Sequence, residues 1–124
     1  MCLEINKDSR KQIAKKDIVV YKTLSYRDNI YRTSYRHFPV EIGKLYKSGI
    51  RKNKRWLFII NKALHSFKLL TNCKNDAWEE YGYNGDKEYV IVECIIPKGA
   101  VYYIGKFSNA PCYASNKLKY IKVI

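Results

Sequence analysis

This chain of 124 residues lacks several features that would assign it a function directly. No acidic residue follows Glu93, and no GxxxxGK loop is present to hold a nucleoside triphosphate. No run of about twenty apolar residues could span a bilayer. Residues 1–17 contain no apolar stretch long enough for a signal peptide. We therefore expect a cytoplasmic protein without a membrane partner.

Close cysteine pairs are also missing. Cys2, Cys73, Cys94 and Cys112 are widely separated, so the CxxC spacing of structural zinc sites is absent and we expect no metal. In a reducing compartment such residues are packing residues or inert thiols rather than disulfides. Cys94 lies in an apolar run, where a small buried thiol is expected. The sequence has no cofactor motif, and we expect no cofactor.

Positive charge is the dominant feature of what is present. Lysine and arginine number 24 against 11 acidic residues, a net charge of +13. The net charge is +11 over residues 18–75, −5 over 76–93 and +5 over 94–124. A hydrophobic fraction of 47% excludes a disordered chain. A folded domain with this excess repels itself, which predicts an anionic partner. Nucleic acid, nucleotides and anionic membranes all fit this charge, and of these we expect a nucleotide or a nucleic acid.

The hydrophobic pattern predicts a single α+β domain over residues 1–124, strand-rich, with a mostly antiparallel sheet and one or two short helices. Residues 1–16 are predicted to form an N-terminal arm, and residues 25–54 a long, basic, Tyr-rich connection that is irregular apart from a short element near "EIGKLY". The predicted strands are 17–24, 55–60, 63–69, 87–96, 100–107 and 116–124.

Two local features accompany these strands. An Asn-Lys link between the strands at 55–60 and 63–69 suggests a hairpin. Residues 71–80 are predicted to form a helix, with Thr71 as its N-cap and Trp78 packing inward.

The connection opens with "SYRDNIYRTSYRHF", which interleaves tyrosine with arginine. Aromatic faces stack on bases and guanidinium groups bind phosphate at two points, so the segment suits a nucleotide or a short single strand. The alternative is a solvated loop whose tyrosines pack their rings and leave the hydroxyls in water. The "RKNKR" cluster at 51–55 could likewise follow a phosphate backbone, or be an exposed charged hairpin.

Catalytic candidates are few. His65 and Ser66 are adjacent on a predicted strand and so project to opposite faces, which argues against a proton relay between them. His65 could bind phosphate or ribose, or be a half-buried histidine that hydrogen-bonds to a backbone carbonyl. A nucleophile pair of Cys112 with His65 stays open. The protein is more consistent with a binder than with an enzyme.

Several segments together, "MCL", "DIVVYKTL", "LHSF", "IPKGAVYYIG" and "YASNKL", resemble short uncharacterised proteins of bacteriophages and of gut bacteria that carry prophages. The resemblance covers most of the chain. It implies a phage or mobile-element origin, hence the cytoplasm of a host bacterium, and does not imply an activity.

A second resemblance concerns layout. "VYK" on a first strand, "HSF" on a middle strand and "VIVECIIPKGAVYYIG" before a final strand are similar to the ADP-ribosyltransferase fold. Those enzymes have a catalytic Glu after the turn that follows "IPKGA", where this chain has "CYASNKL" without an acid. Their opening Arg or His would correspond to Tyr21 or Lys22. The layout then implies a pocket for an ADP-ribose-like ligand without the transferase chemistry.

Together these observations predict a small phage-type protein that captures a phosphorylated nucleotide, ADP-ribose-like or cyclic, in a basic Tyr-lined pocket and so sequesters a host-defence signal. The alternatives are a nucleic-acid-binding protein, and a divergent ADP-ribosyltransferase or nucleotide hydrolase. A homo-oligomer is compatible with the sequence. The predicted ligand-binding residues are Tyr21, Lys22, Arg27, Tyr35, Arg36, His65, Ser66, Tyr113, Ser115, Asn116 and Lys117.

Overall fold

The computed structural model describes residues 3–5, 10–33, 38–52, 59–79, 88–107 and 109–124. Within these ranges the chain forms thirteen strands and one α-helix, and the strand pairings are antiparallel. The strand-rich α+β prediction is confirmed at this level. The elements are β1 (Leu3–Glu4), β2 (Gln12–Ile13), β3 (Ile18–Arg27), β4 (Ile30–Thr33), β5 (Pro39–Val40), β6 (Leu45–Lys47), β7 (Arg51–Lys52), β8 (Ile59–Lys62), β9 (Leu64–Phe67), α1 (Leu70–Ala77), β10 (Tyr89–Ile96), β11 (Val101–Phe107), β12 (Ala110–Ser115) and β13 (Lys117–Val123).

The sheet curls until its two ends meet. Its strand order is β6-β13-β10-β3-β9-β12-β11-β1-β8-β7, and β2, β4 and β5 are attached at its margins. The terminal strands β6 and β7 are consecutive in the chain and are joined by residues 48–50 alone. Four residue steps span at most about 14 Å. Lys47 and Arg51, at opposite ends of the strand order, are therefore close neighbours.

The centre of the sheet is the pair β3 and β10, which the sequence predicts well. Eight consecutive residue pairs join them, from Tyr89 opposite Ser25 to Ile96 opposite Ile18. Both strands are rich in β-branched residues, which pack well on a pleated surface. Strand β10 pairs with β3 on one side and with β13 on the other, so the strand predicted at 87–96 lies inside the sheet.

Two apolar cores lie on opposite faces of these strands. The even-numbered side chains of β3 and β10 point to the first core and the odd-numbered ones toward the second, as the alternation of a strand requires. The buried members of the first core are Ala14, Val20, Leu24, Val40, Val92, Cys94, Ile96, Ala100, Tyr113, Leu118 and Tyr120. Those of the second core are Ile5, Ile60, Phe67, Cys73, Cys112 and Ala114.

Helix α1 differs from its prediction at both ends. Its N-cap is Leu69, which makes no side-chain capping hydrogen bond, so Thr71 lies inside the helix. The helix is held by Cys73 and Ala77, which are fully buried one turn apart, while Trp78 is 58% exposed. Small side chains at i and i+4 let the helix approach the sheet closely, and this places the indole on the solvent side. No helix in the described ranges is long and apolar enough to cross a membrane.

The connection over 25–54 was predicted to be irregular, and this is wrong for its described part. It continues β3 to Arg27 and carries β4, β5, β6 and β7. These strands are two to four residues long, too short to show an alternating pattern. The N-terminal arm predicted over 1–16 likewise contains β1 and β2, which pair with β11.

Two further predictions need correction. Strands β8 and β9 do not form a hairpin, because β8 pairs with β1 and β7 while β9 pairs with β12 and β3. The chain bends at Ala63 between them, and residues 55–58 of the predicted strand lie outside the described ranges. Residues 110–115 were predicted to be a loop and form β12, whose Pro111 carbonyl accepts a hydrogen bond from the Lys68 N–H at 3.1 Å.

Candidate functional site

The β3–β4 hairpin forms one wall of a cleft. Its two-residue turn, Asp28 and Asn29, has φ angles of 54° and 63°, the left-handed conformation that Asn and Asp tolerate and that tight hairpins need. On the strands that follow, Tyr26 lies directly opposite Tyr31, with ring centroids 4.8 Å apart. The Tyr26 hydroxyl donates to Asn29 Oδ1 at 3.0 Å. These contacts fix the aromatic end of the hairpin.

The cleft itself has a volume of about 630 Å³, within the usual range for small-molecule sites. It lies between the hairpin, β5 and the turn that leads into β6. It is open to solvent on one side and mixes apolar with polar side chains. Its lining residues are Asn29, Ile30, Tyr31, Pro39, Val40, Glu41, Ile42, Lys44 and Tyr46.

The opposite wall is built on Tyr46. Its hydroxyl accepts a hydrogen bond from the Glu41 N–H at 2.8 Å, and its ring packs edge-on against Tyr120 at 5.5 Å. The ammonium of Lys44 lies 5.4 Å from the Tyr46 ring centroid, a cation–π distance. The ring is therefore held in place from the protein side, with a cation above it.

The turn that carries Lys44 is tied to the sheet. Gly43 adopts φ +91°, which favours glycine, and its N–H donates to the Tyr120 carbonyl at 2.6 Å. The Tyr120 N–H in turn donates to the Lys44 carbonyl at 3.2 Å. Two backbone hydrogen bonds thus hold Lys44, and the short segment that leads to Tyr46, beside the cleft.

Among the predicted site residues in the described ranges, Arg27 is the one whose strand partner lines the cleft. It is exposed at the end of β3 and pairs with Ile30, a lining residue. Tyr35 and Arg36 belong to residues 34–37, outside the described ranges. Two hydrogen bonds join Thr33 and Phe38, the residues that flank this segment. The Thr33 N–H donates to the Phe38 carbonyl at 2.9 Å, and the Phe38 N–H donates to Thr33 Oγ1 at 3.0 Å.

Tyr21 and Lys22 project from the middle of β3 to opposite faces. Tyr21 packs half-buried against the second core. Lys22 lies between Val20 and Leu24 on the face of the first core, opposite Val92. It keeps part of its surface exposed, yet burial lowers the pKa of its ammonium below the ordinary 10.5.

His65 and Ser66 also project to opposite faces, since their partners are Ala114 and Tyr113 respectively. The absence of a relay between them is confirmed. His65 is 7% exposed, and its ring Nε2 is buried without a hydrogen-bond partner among the described residues. Burial, reinforced by the positive charge of Lys22, lowers the pKa of His65 to about 3.

Tyr113, Ser115 and Asn116 make structural contacts. Tyr113 is 7% exposed and packs edge-on against Tyr102 at 5.7 Å, and burial raises its pKa. Ser115 Oγ lies within hydrogen-bond distance of the Leu64 carbonyl, 3.3 Å, and the Lys117 carbonyl, 3.0 Å. The Asn116 side chain accepts a hydrogen bond from the Val101 N–H at 2.9 Å.

The described members of the predicted set therefore occupy three places: the hairpin end with Arg27, the middle of the sheet, and the corner at Ser115 to Lys117. Ser66 pairs with Tyr113, and their side chains share a face. The Ser66 hydroxyl is fully buried and has no hydrogen-bond partner among the residues that the structure describes. Sequence reasoning missed Lys44 and Tyr46 as site residues. The signal was the K-x-Y spacing of "KLY", which puts both side chains on one face of an extended segment.

The buried thiols are unreactive near neutral pH because they stay protonated. Burial raises the pKa of Cys73 to about 11 and the pKa values of Cys94 and Cys112 to about 12. Cys112 therefore does not supply a thiolate to pair with His65 near neutral pH. Across the described ranges, no three His, Cys, Asp or Glu side chains lie together as a metal site would need. Cys2 lies outside these ranges.

Comparison with known proteins found no match to this chain among protein-family models, curated proteins or solved structures. The resemblances to phage proteins and to the ADP-ribosyltransferase layout stay predictions.

Proposed function

We propose that the protein binds a phosphorylated nucleotide in the cleft between the β3–β4 hairpin, β5 and the turn before β6. The observation that carries this proposal is the Lys44–Tyr46 wall, where a fixed aromatic ring and an ammonium face the same open space. Nucleotides combine a flat base with an anionic phosphate, and this wall offers a partner for each.

The remaining lining residues suit the other parts of such a ligand. Tyr31 offers a second aromatic face, braced by Tyr26. Glu41 and Asn29 can accept hydrogen bonds from ribose hydroxyls or from an exocyclic amine. Arg27, exposed beside the cleft, adds a guanidinium for a second phosphate. The predicted residues Tyr35 and Arg36 lie outside the described ranges and carry no part of this proposal.

The proposed role is capture of the nucleotide without conversion. The resemblance to phage proteins supports it, because a small protein of that origin gains from holding a host signalling nucleotide. The volume of the cleft accommodates a ligand of the size of ADP-ribose or a cyclic dinucleotide. The protein would then sequester a host-defence signal in the bacterial cytoplasm.

Thermal-shift measurements at low salt test the proposal with ADP-ribose, cyclic ADP-ribose and cyclic dinucleotides. We expect at least one to raise the melting temperature of the native protein, and Lys44→Gln to weaken its binding about tenfold, the loss of one charge-assisted contact. Lys98→Gln removes one exposed lysine from the turn after β10 and is the matched control. An absence of any shift, or equal weakening by both variants, would count against the cleft.

Recovery of the ligand separates capture from catalysis. After incubation with the protein, chromatography should return the bound nucleotide unchanged. Hydrolysed nucleotide, or transfer of label from NAD to lysate proteins, would instead support the enzyme alternatives.

A further inference from the structure

Like charges face each other at both terminal strands of the sheet. Lys47 on β6 lies directly opposite Lys117 on β13. Arg51 on β7 lies directly opposite Lys62 on β8. Directly opposed like charges destabilise a strand pair, so each pairing is unfavourable unless an anion lies between the cations.

The two pairs lie near each other because the terminal strands β6 and β7 are consecutive in the chain. Residues 48–50 alone separate Lys47 from Arg51, which limits their Cα distance to about 14 Å. Lys62 and Lys117 are also near each other. Leu64 pairs with Ser115, Lys62 is two residues before Leu64, and Lys117 is two residues after Ser115. The four cations thus come from four strands and surround one corner, which we call the basic corner (Lys47, Arg51, Lys62 and Lys117).

Hydrogen bonds hold the backbone of the basic corner. The Ser48 N–H donates to the Asn116 carbonyl at 2.9 Å, which ties the 48–50 link to the turn between β12 and β13. The Asn116 N–H donates to the Val101 carbonyl at 3.0 Å. Ser115 Oγ connects the carbonyls of Leu64 and Lys117. The spacing of the cations is therefore set by the fold before any partner binds.

The segments that supply these cations contain no acid. Neither residues 42–75 nor residues 94–124 include an aspartate or glutamate. On neighbouring β1, Glu4 is exposed and lies opposite Ile59 and Lys106. Lys47, Arg51 and Lys62 are exposed, and Lys117 is half-buried. The basic corner can therefore receive an anion from solvent.

We propose that the basic corner binds the phosphate backbone of a nucleic acid. Lys47 and Arg51, one from each pair, have Cα atoms no more than about 14 Å apart, and the phosphates of one strand follow each other about every 3.4 Å of helix axis, so a single strand can reach both pairs. A single small anion would neutralise one opposed pair and leave the other. The contacts reach only the backbone, so binding is independent of sequence. This surface is separate from the proposed nucleotide cleft and does not depend on it.

Fluorescence anisotropy with labelled oligonucleotides tests the basic corner. The probes are a single-stranded 12-mer and a duplex of the same length, each titrated at several salt concentrations. The test variant carries Gln at Lys47, Arg51, Lys62 and Lys117. The control variant carries Gln at four exposed lysines elsewhere and loses the same net charge: Lys15, Lys16, Lys74 and Lys98.

We expect the test variant to lose at least tenfold in affinity and the control to lose less than threefold. The slope of log affinity against log salt should fall by about 3 for the single strand, since each lost phosphate contact contributes about 0.7. The test variant should melt no lower than the native protein, because the substitutions relieve repulsion. Binding of mononucleotides in the cleft should be unaffected.

Three outcomes would overturn the proposal. Equal losses in both variants would mean that net charge alone drives binding. No binding of either probe at low salt would exclude a nucleic acid partner. Binding of vesicles containing phosphatidylserine that depends on the basic corner, without oligonucleotide binding, would assign the surface to anionic lipid instead.

Discussion

His65 makes the stability of the fold sensitive to mild acid. Its pKa is about 3 in the folded protein, while an unfolded chain would have the ordinary value of 6.5. As the pH falls below 6.5 the unfolded state takes up a proton and the folded state does not. Stability is therefore lost progressively from about pH 6.5 down to about pH 3, and the loss is complete below that range.

The magnitude follows from the two pKa values. Each tenfold difference in proton affinity is about 1.4 kcal/mol, so between pH 7 and pH 5 the histidine removes about 2 kcal/mol of the free energy of unfolding. At pH 4 the loss reaches about 3 kcal/mol. For a domain stabilised by about 5–15 kcal/mol, this is a substantial fraction.

Urea denaturation at pH 7 and pH 5 measures this effect. The comparison is between the native protein and His65→Gln, which cannot titrate, so the difference in their pH dependence isolates His65 from the carboxylates. We expect the native protein to lose about 2 kcal/mol more than the variant. Identical losses, or an NMR titration that gives the His65 ring a pKa near 6.5, would refute the reasoning.

Three further predictions concern burial. Replacing Lys22 by Met should raise the free energy of unfolding by roughly 1–3 kcal/mol, because a buried ammonium is replaced by an apolar side chain; a lower midpoint in urea would contradict this. Leu118→Ala should lower the free energy of unfolding by about 2–5 kcal/mol, since Leu118 is fully buried. Leu45→Ala on the adjacent strand should lower it far less, because that side chain is 39% exposed. Similar losses in the two variants would place Leu118 outside the core. Peptide mapping after thiol alkylation should find Cys73, Cys94 and Cys112 unmodified in native protein and modified in urea, and native labelling would show that these thiols are accessible.

The sequence predicts the long strands well because their patterns are strong. Strands β3 and β10 contain runs of β-branched residues, and their centrality is visible in those runs. The short strands β4 to β7 escape prediction because two to four residues are too few to show an alternating pattern. Strand β12 was missed for a related reason: Pro111 and Ser115 are poor strand formers, and pairing on both sides overrides that preference.

For the candidate site, only the chemical type of ligand could be predicted from the sequence. Positive charge and tyrosine indicate an anionic ligand, and the cleft and the basic corner both fit that expectation. Which tyrosines line a surface depends on the curl of the sheet, which no local pattern records. Tyr113 and Tyr120 are buried, whereas Tyr31 and Tyr46 line the cleft. Lys22 and Lys44 cannot be told apart in the sequence, but Lys22 is half-buried on the face of the first core and Lys44 is exposed beside the cleft.

The position of β1 has a consequence for synthesis of the protein. Glu4 pairs with Lys106, so β1 lacks one of its partners until about a hundred more residues have been translated. At bacterial rates of about 5–20 residues per second, that interval lasts about 5–20 s. During it, apolar strands such as β3 are already made while β10 and β13 are not. The nascent chain therefore exposes the apolar residues of β3 until β10 has been translated.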